Sequence, residues 1–163
     1  MHPPASRALT YRSAEVQEII DLRRRVLRMG MPDDPATFEG DDSPSTLHMG
    51  VFDAASQCVG CATMIRADWE GRPAYQLRGM ATCETRQQQG IGRTLLKRLL
   101  DRITAETDVR LIWCNARQEA IGFYRKQGWR VVSDVFKVPT VGPHYKMRID
   151  LHEAKTGAPQ QAD

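Results

Sequence analysis

The sequence predicts a mixed α+β single domain, and three observations carry that expectation. The chain has 163 residues, the size of one ordinary domain. At that size roughly 70% of the unfolded surface can be buried, so a core forms without staples. Short apolar runs alternate with longer stretches of helical period. No internal repeat or interdomain linker interrupts them, and the order reads β-α-loop-β-β-β-α-β-α-β-β.

Each element has its own signal. "ALTYR" reads as a short strand. Ser13 then reads as the N-cap of a helix with a stripe of Val16, Ile19, Ile20, Val26 and Leu27, ending near Gly30. "MGMPDDPATFEGDDSPS" is a long acidic loop with one helical turn expected around Ala36 to Phe38. "TLHMGVFD" and "CVGCATMIRAD" read as antiparallel strands joined by a turn at Ala54 to Gln57. "WEGRP" is a turn and "AYQLRGMAT" the next strand. A helix is predicted from about Ile91 to Glu106, where Leu95, Leu96, Leu99, Leu100 and Ile103 share one face. "VRLIWCN" is a continuous apolar strand. "RQEAIGFYRKQG" is a helix closed by Gly128, and "WRVVSDVFKV" and "HYKMRIDL" are the last two strands, joined by "PTVGP". The domain is expected over residues 8–151, with flexible termini at 1–7 and 152–163.

Composition excludes several classes. Net charge is +3, too slight to argue for nucleic acid, and Arg23, Arg24 and Arg25 fan across different helix faces rather than forming a stripe. No apolar run approaches the ~18 residues of a membrane span, and the start lacks the apolar core of a signal peptide. A cytoplasmic protein without membrane or nucleic-acid partners is the expectation. Cys58 and Cys61 form a C-x-x-C on a predicted strand. Alternation would send their side chains to opposite faces. With no second pair following, free thiols are expected and neither a metal site nor a disulfide.

The stretch "RQQQGIGRTLLKRLL" carries the functional signal. Nothing apolar needs two glycines at a helix entrance. A helix start presents unpaired backbone N–H groups and partial positive charge, and glycines let an anion approach them. Arg93 and Thr94 add a cation and a hydroxyl. A P-loop would need Lys-Ser/Thr after the second glycine, and a dinucleotide fingerprint would need glycine at Leu95. Both readings fail.

Gln87, Gly90 and Gly92 form a Q-x-x-G-x-G that resembles the coenzyme A loop of the GNAT superfamily of acyl-CoA-dependent N-acetyltransferases. "NARQEAIGFYRKQGW", Asn115 to Trp129, resembles that superfamily's second cofactor segment at fitting separation, so the resemblance spans roughly Leu9 to Leu151. One departure is Gln88, where many members have glycine. The resemblance implies a central mixed, mostly antiparallel sheet of about seven strands, splayed between the fourth and fifth and flanked by helices.

It also implies roles. The backbone of Met80, Ala81 and Thr82 would pair with the pantetheine arm of acetyl-CoA. Gln87, Gln88, Gln89, Gly90, Ile91, Gly92, Arg93 and Thr94 would hold the pyrophosphate. Asn115 and Phe123 would line the pantetheine, and Lys126 or Arg125 would meet the nucleotide phosphate. Tyr124 would be the general acid that protonates the leaving thiolate. No glutamate stands on "AYQLRGMAT" to act as base, which leaves an ordered water or His144, itself expected in a loop; His48 is expected on a strand. The acidic loop, with Asp33, Asp34, Glu39, Asp41 and Asp42, offers attraction for a cationic amine or else a solvated surface. The implied reaction is acetyl transfer from acetyl-CoA to a primary amine, with a small-molecule acceptor favoured. The competing readings are a protein amine acetyltransferase and a non-catalytic acyl-CoA-binding or sensing module. The sequence leaves monomer and homodimer open.

Overall fold

The structure, a computed structural model, describes residues 8–27, 35–139 and 141–152. The expected ends at 1–7, the end of the first helix near Gly30, Asp33, Asp34 and the tail from 153 lie outside the described residues. The chain forms two compact units. Unit 1 is the chain up to Arg66 together with Gln76–Leu99; unit 2 is Ala67–Tyr75 and the chain from Leu100 onward. Eight strands and three α-helices form among the described residues, an α+β architecture with one strand more than the sequence implied.

In unit 1, β1 (Thr10–Ser13), β2 (Leu47–Phe52), β3 (Cys58–Arg66) and β4 (Tyr75–Thr82, in this unit from Gln76) lie side by side in that order. Helix α1 (Val16–Leu27) buries Ile19, Leu22 and Arg23. Ser13 is not its cap. Ser13 still pairs with Met49 in the β1–β2 ladder, so the helix starts later. Glu18 closes the start instead, its carboxylate accepting the Glu15 N–H at 2.8 Å. No helical turn forms at Ala36–Phe38; the loop turns at Glu39–Asp42, where the Asp41 N–H donates to Phe38 O.

The β2–β3 ladder carries a bulge that overturns one expectation. Val51 pairs with Gly60, but Phe52 pairs with Cys58, so Val59 is an extra residue in β3. The extra residue cancels alternation between Cys58 and Cys61. Both thiols pack on the cluster of Ile19, Leu22 and Ala81, on one side of the strand and not on two. All four cysteines are free thiols.

Helix α2 (Ile91–Glu106) has the predicted bounds and buries Ile91, Leu95, Leu96, Leu99 and Ile103. In unit 2, β8 (Gly142–Asp150) is the organising strand. It pairs antiparallel with β5 (Leu111–Arg117), β6 (Arg130–Val131) and β7 (Phe136–Val138). The predicted single strand "WRVVSDVFKV" is thus two. The Val132 N–H still reaches Lys146 O, but the Lys146 N–H goes to the Ser133 hydroxyl at 2.8 Å, which ends the ladder. Trp69 and Trp113 meet at a tilt of 56° with centroids 5.4 Å apart, and the Trp113 indole donates to Ala67 O at 2.9 Å.

Candidate active site

In unit 1 the segment from Met80 to Thr94 is continuous and its parts are tied. Met80 and Thr82 are half-buried; the Ala81 side chain is buried in the α1 cluster, so its backbone alone faces other partners. After β4, a 3₁₀ turn at Glu84–Arg86 leads to Gln87, whose side-chain amide donates back to Thr82 O at 3.2 Å. Gln87, Gln88 and Gln89 are exposed. Gln88 has φ +65° and Gly90 φ +81°. A left-handed glutamine is costly, which explains why glycine suits that position in the family pattern. The first helical bond of α2 is the Thr94 N–H to Gly90 O at 3.0 Å. The N–H groups of Ile91, Gly92 and Arg93 precede that bond and point out of the helix start. No acidic side chain stands in the first turn to compete for them. Ile91 is an anchor, with its side chain buried; a Cβ on Gly60 would stand 2.9 Å from Ile91 Cγ2, so the glycine gives this helix end its seat on β3. Arg93 is exposed and Thr94 half-buried.

Sequence reasoning missed what lies beside β4. Arg23 is fully buried. Its two terminal nitrogens hold Asp41 at 2.8 and 3.0 Å, Ala36 O at 3.1 Å and Thr63 Oγ1 at 2.7 Å. His48 contacts Thr63 Oγ1 through Nδ1 and Asp41 O through Nε2, both at 2.8 Å. A carbonyl only accepts, so Nε2 carries a proton, and the Thr63 hydroxyl accepts from Arg23. Arg23, Thr63, His48 and Asp41 close a ring, its last link running through the Asp41 backbone carbonyl. Burial pushes the Asp41 carboxyl up, but the Arg23 guanidinium and the Phe38 N–H outweigh it and hold the group below its ordinary value. Phe38 lies between the guanidiniums of Arg23 and Arg78, at 4.3 and 4.2 Å. Gly79, with φ +65°, faces this ring: a Cβ there would stand 2.9 Å from Arg23 Nε and 2.8 Å from Phe38. The loop carbonyls, the aromatic ring and the β4 kink are therefore one packed object directly before Met80. A signal for it was present, because Arg23 occupies the helical stripe of Val16, Ile19, Ile20, Val26 and Leu27. His48 is on β2 as expected, and Asp41, spent on Arg23, is not a loose charge.

In unit 2 the second segment builds a tyrosine site. Helix α3 (Ile121–Lys126) follows a 3₁₀ turn at Gln118–Ala120. Its end is a Schellman motif: the Gly128 N–H reaches Arg125 O at 3.0 Å and the Trp129 N–H reaches Tyr124 O at 3.1 Å, with Gly128 at φ +96°. This fold-back lays Trp129 on Tyr124, with ring centroids 5.2 Å apart, and Phe123 meets Tyr124 edge-on at 5.1 Å. The Gly-Trp pair thus fixes the phenol. Burial, then the charge and hydrogen bond of Cys114, push the Tyr124 phenol well above its ordinary value, so it stays protonated through neutral pH. Asn115 is exposed on β5, and its Oδ1 accepts from Lys146 Nζ at 3.2 Å. Lys126 is exposed. His144 is not in a loop. It is buried on β8, its Nδ1–H donating to Gly142 O at 2.9 Å and its ring 5.8 Å from Phe136.

The α2 entrance offers unpaired N–H groups and the Tyr124 phenol is buried, and comparison with known proteins places the chain among acyl-transfer enzymes. The sequence model of the acetyltransferase (GNAT) domain matches residues 46–131. An uncharacterized N-acetyltransferase, YitI of Bacillus subtilis (strain 168), is 30% identical over 149 residues, covering 90% of this chain and 99% of that protein. The chain belongs to the GNAT acetyltransferase family and is an N-acetyltransferase. Its fold matches Escherichia coli ElaA with a TM-score of 0.74 at 15% identity, over 86% of this chain and 99% of that one. It also matches an aminoglycoside 6'-N-acetyltransferase solved with coenzyme A, with a TM-score of 0.68 at 16% identity, over 86% and 96%. Among the described residues no helix is long and apolar enough to cross a membrane, and no three His, Cys, Asp or Glu side chains group as metal ligands.

Proposed function

We propose that this enzyme transfers the acetyl group of acetyl-CoA directly to a primary amine, and that residues 8–151 act as one catalytic domain. The observation that carries the reading is the entrance to α2. Left-handed Gln88 and Gly90 lead into N–H groups that precede the first helical bond, with Arg93 beside them. Such a cradle suits the pyrophosphate of a coenzyme A ester. The co-substrate supplies an activated acyl thioester. This chain's residues bind it and manage protons. Residues Gln87 to Thr94 hold the pyrophosphate, the backbone of Met80 to Thr82 pairs with the pantetheine arm, Asn115 and Phe123 line that arm, and Lys126 meets the nucleotide phosphate. Tyr124 donates the proton that the departing sulfur needs. An ordered water or the Nε2 lone pair of His144 takes the proton from the amine. A small-molecule amine is the favoured acceptor, in keeping with the aminoglycoside enzyme among the fold's neighbours.

The test is calorimetry with acetyl-CoA on Gly90→Glu and Gly90→Ala. A Cβ at this position meets Arg93 Nη2 at 3.6 Å, an ordinary contact, and both variants carry the same backbone strain. Only glutamate adds a bulky negative charge to the cradle. The alanine variant is expected to bind within several-fold of the parent and the glutamate variant to lose about 100-fold or more, with unchanged circular dichroism. Equal affinity in the two variants would place the phosphates elsewhere.

A further inference from the structure

Three of the four cysteines converge on one side of unit 1. Cys61 belongs to the buried cluster of Ile19, Leu22 and Ala81, and Cys58 and Cys83 pack against its margin. Cys83 is the residue that follows β4, and its backbone N–H donates to Val59 O at 2.8 Å. Cys83 is thus held against the bulge that Cys58 and Val59 form, on the side to which the bulge turns Cys58.

The two thiols differ in the way an attacking and a resolving cysteine differ. Cys83 is half-buried, with Thr85 Oγ1 at 3.4 Å and Arg25 Nη2 at 3.6 Å from its sulfur. The Thr85 hydroxyl and the Arg25 guanidinium hold its thiol below the ordinary value against a smaller effect of burial. Cys58 donates its S–H to Gly60 O at 3.2 Å, and burial pushes that thiol up. Cys61 and Cys114 are pushed up to about 12 by burial, which makes them inert.

We propose that Cys83 is an oxidation site for hydroperoxides and that Cys58 resolves it as an intramolecular disulfide. In the first step the Cys83 thiolate attacks an oxygen of hydrogen peroxide. An S–O bond forms, the O–O bond breaks and hydroxide leaves to be protonated to water. The sulfur gives up two electrons and the peroxide is reduced. In the second step the Cys58 sulfur attacks the Cys83 sulfenic sulfur. The S–S bond forms, the S–O bond breaks, and the hydroxyl leaves as water with the Cys58 proton. A dithiol reductant reverses the pair. Cys83 also stands between Thr82 and the turn that leads to Gln87. Tying it to Cys58 pulls on both, so the disulfide form is expected to bind acetyl-CoA at least about ten-fold more weakly, a consequence that rests on the cofactor reading above.

The experiment treats the full chain with hydrogen peroxide, alkylates remaining thiols in denaturant and maps peptides by mass spectrometry before and after reduction. Expected are a Cys58–Cys83 cross-link and alkylated Cys61 and Cys114. In Cys58→Ser, dimedone should trap a sulfenic acid on Cys83; in Cys83→Ser, Cys58 should stay alkylatable at the same dose. Arg25→Gln should slow Cys83 oxidation several-fold and Arg25→Lys should restore it. A Cys83 that reacts no faster than in the denatured chain, or wild-type protein whose oxidation yields only intermolecular dimers, would overturn the proposal. A mapped Cys58–Cys83 disulfide with unchanged acetyl-CoA affinity overturns the coupling to the turn. Failure of the reduced protein to bind acetyl-CoA would instead overturn the cofactor reading and leave the thiol chemistry standing.

Discussion

Unit 1 contains two concentrations of positive charge with opposite fates. Arg23 is fully buried, and its two terminal nitrogens are taken up by Asp41, Thr63 and the Ala36 carbonyl. The entrance to α2 is exposed, with N–H groups ahead of the first helical bond and Arg93 in solvent. The difference separates structure from recognition. Charge met inside the chain specifies a conformation, here the loop and the β4 kink at Gly79. Donors left facing outward are available to a ligand. The first packs against Gly79 on β4, and the second begins after the turn that follows that strand.

Breaking the buried pair should give the largest effect. Asp41→Ala leaves Arg23 charged and uncompensated, which costs about 3–5 kcal/mol. Urea denaturation would measure it. The double variant Arg23→Met, Asp41→Leu should recover much of the loss, because the desolvated charge is gone. The same pair gives a pH dependence with a definite sign. The Asp41 carboxyl is held below its ordinary value in the folded state. Its contribution is therefore complete above the unfolded range, ~3.9, and is lost as pH falls through the lower folded value. The drop in urea midpoint from pH 6 to pH 3 should be smaller in Asp41→Asn than in the parent. An identical drop would mean that other carboxylates govern acid stability.

The second effect is kinetic and belongs to unit 2. Tyr124→Phe keeps the ring that Trp129 and Phe123 pack against and removes only the hydroxyl. With Tyr124 as general acid, kcat should fall about ten-fold or more and acetyl-CoA affinity stay within a few-fold. The loss should shrink with an acyl donor whose leaving thiol is more acidic. An unchanged kcat, with chemistry shown to be rate-limiting, would reduce Tyr124 to a packing residue.

The elements that sequence disclosed were those fixed by local pattern. The leucine stripe set both ends of α2, and Gly128 marked the end of α3 because only a left-handed residue completes that cap. The turn proposed for the cofactor drew notice in the sequence because glycines at a helix entrance have few other uses. What escaped notice was set by distant partners. Ser13 looked like a cap until its pairing opposite Met49 in the β1–β2 ladder is seen. The bulge at Val59 moved Cys58 to the face of Cys61; its one local signal was Gly60, a glycine inside a strand pattern. One hydroxyl, Ser133, divided a strand by taking the Lys146 N–H. Arg23 read as one of three fanned arginines, because its partners Asp41 and Thr63 stand far along the chain.

The smallest effect sharpens the view of the exposed turn. Gln88 is left-handed at φ +65°, a conformation that costs an ordinary L residue roughly 1–2 kcal/mol. Gln88→Gly removes that strain but also frees the unfolded chain, which gives back ~0.4–1 kcal/mol. The net expectation is a gain of under about 1 kcal/mol, read as a rise of a few degrees in Tm. Gln88→Ala keeps the strain and removes the long side chain, so its stability should stay near that of the parent. The two variants also divide backbone from side chain in binding. In the proposed cradle residue 88 offers only its N–H, which every variant keeps, so acetyl-CoA affinity should remain within about two-fold in both. A matching loss of affinity in the glycine and alanine variants would mean that the glutamine side chain itself touches the anion. This chain would then have put a polar contact in place of the family's glycine, and the left-handed strain would be the cost of holding it there.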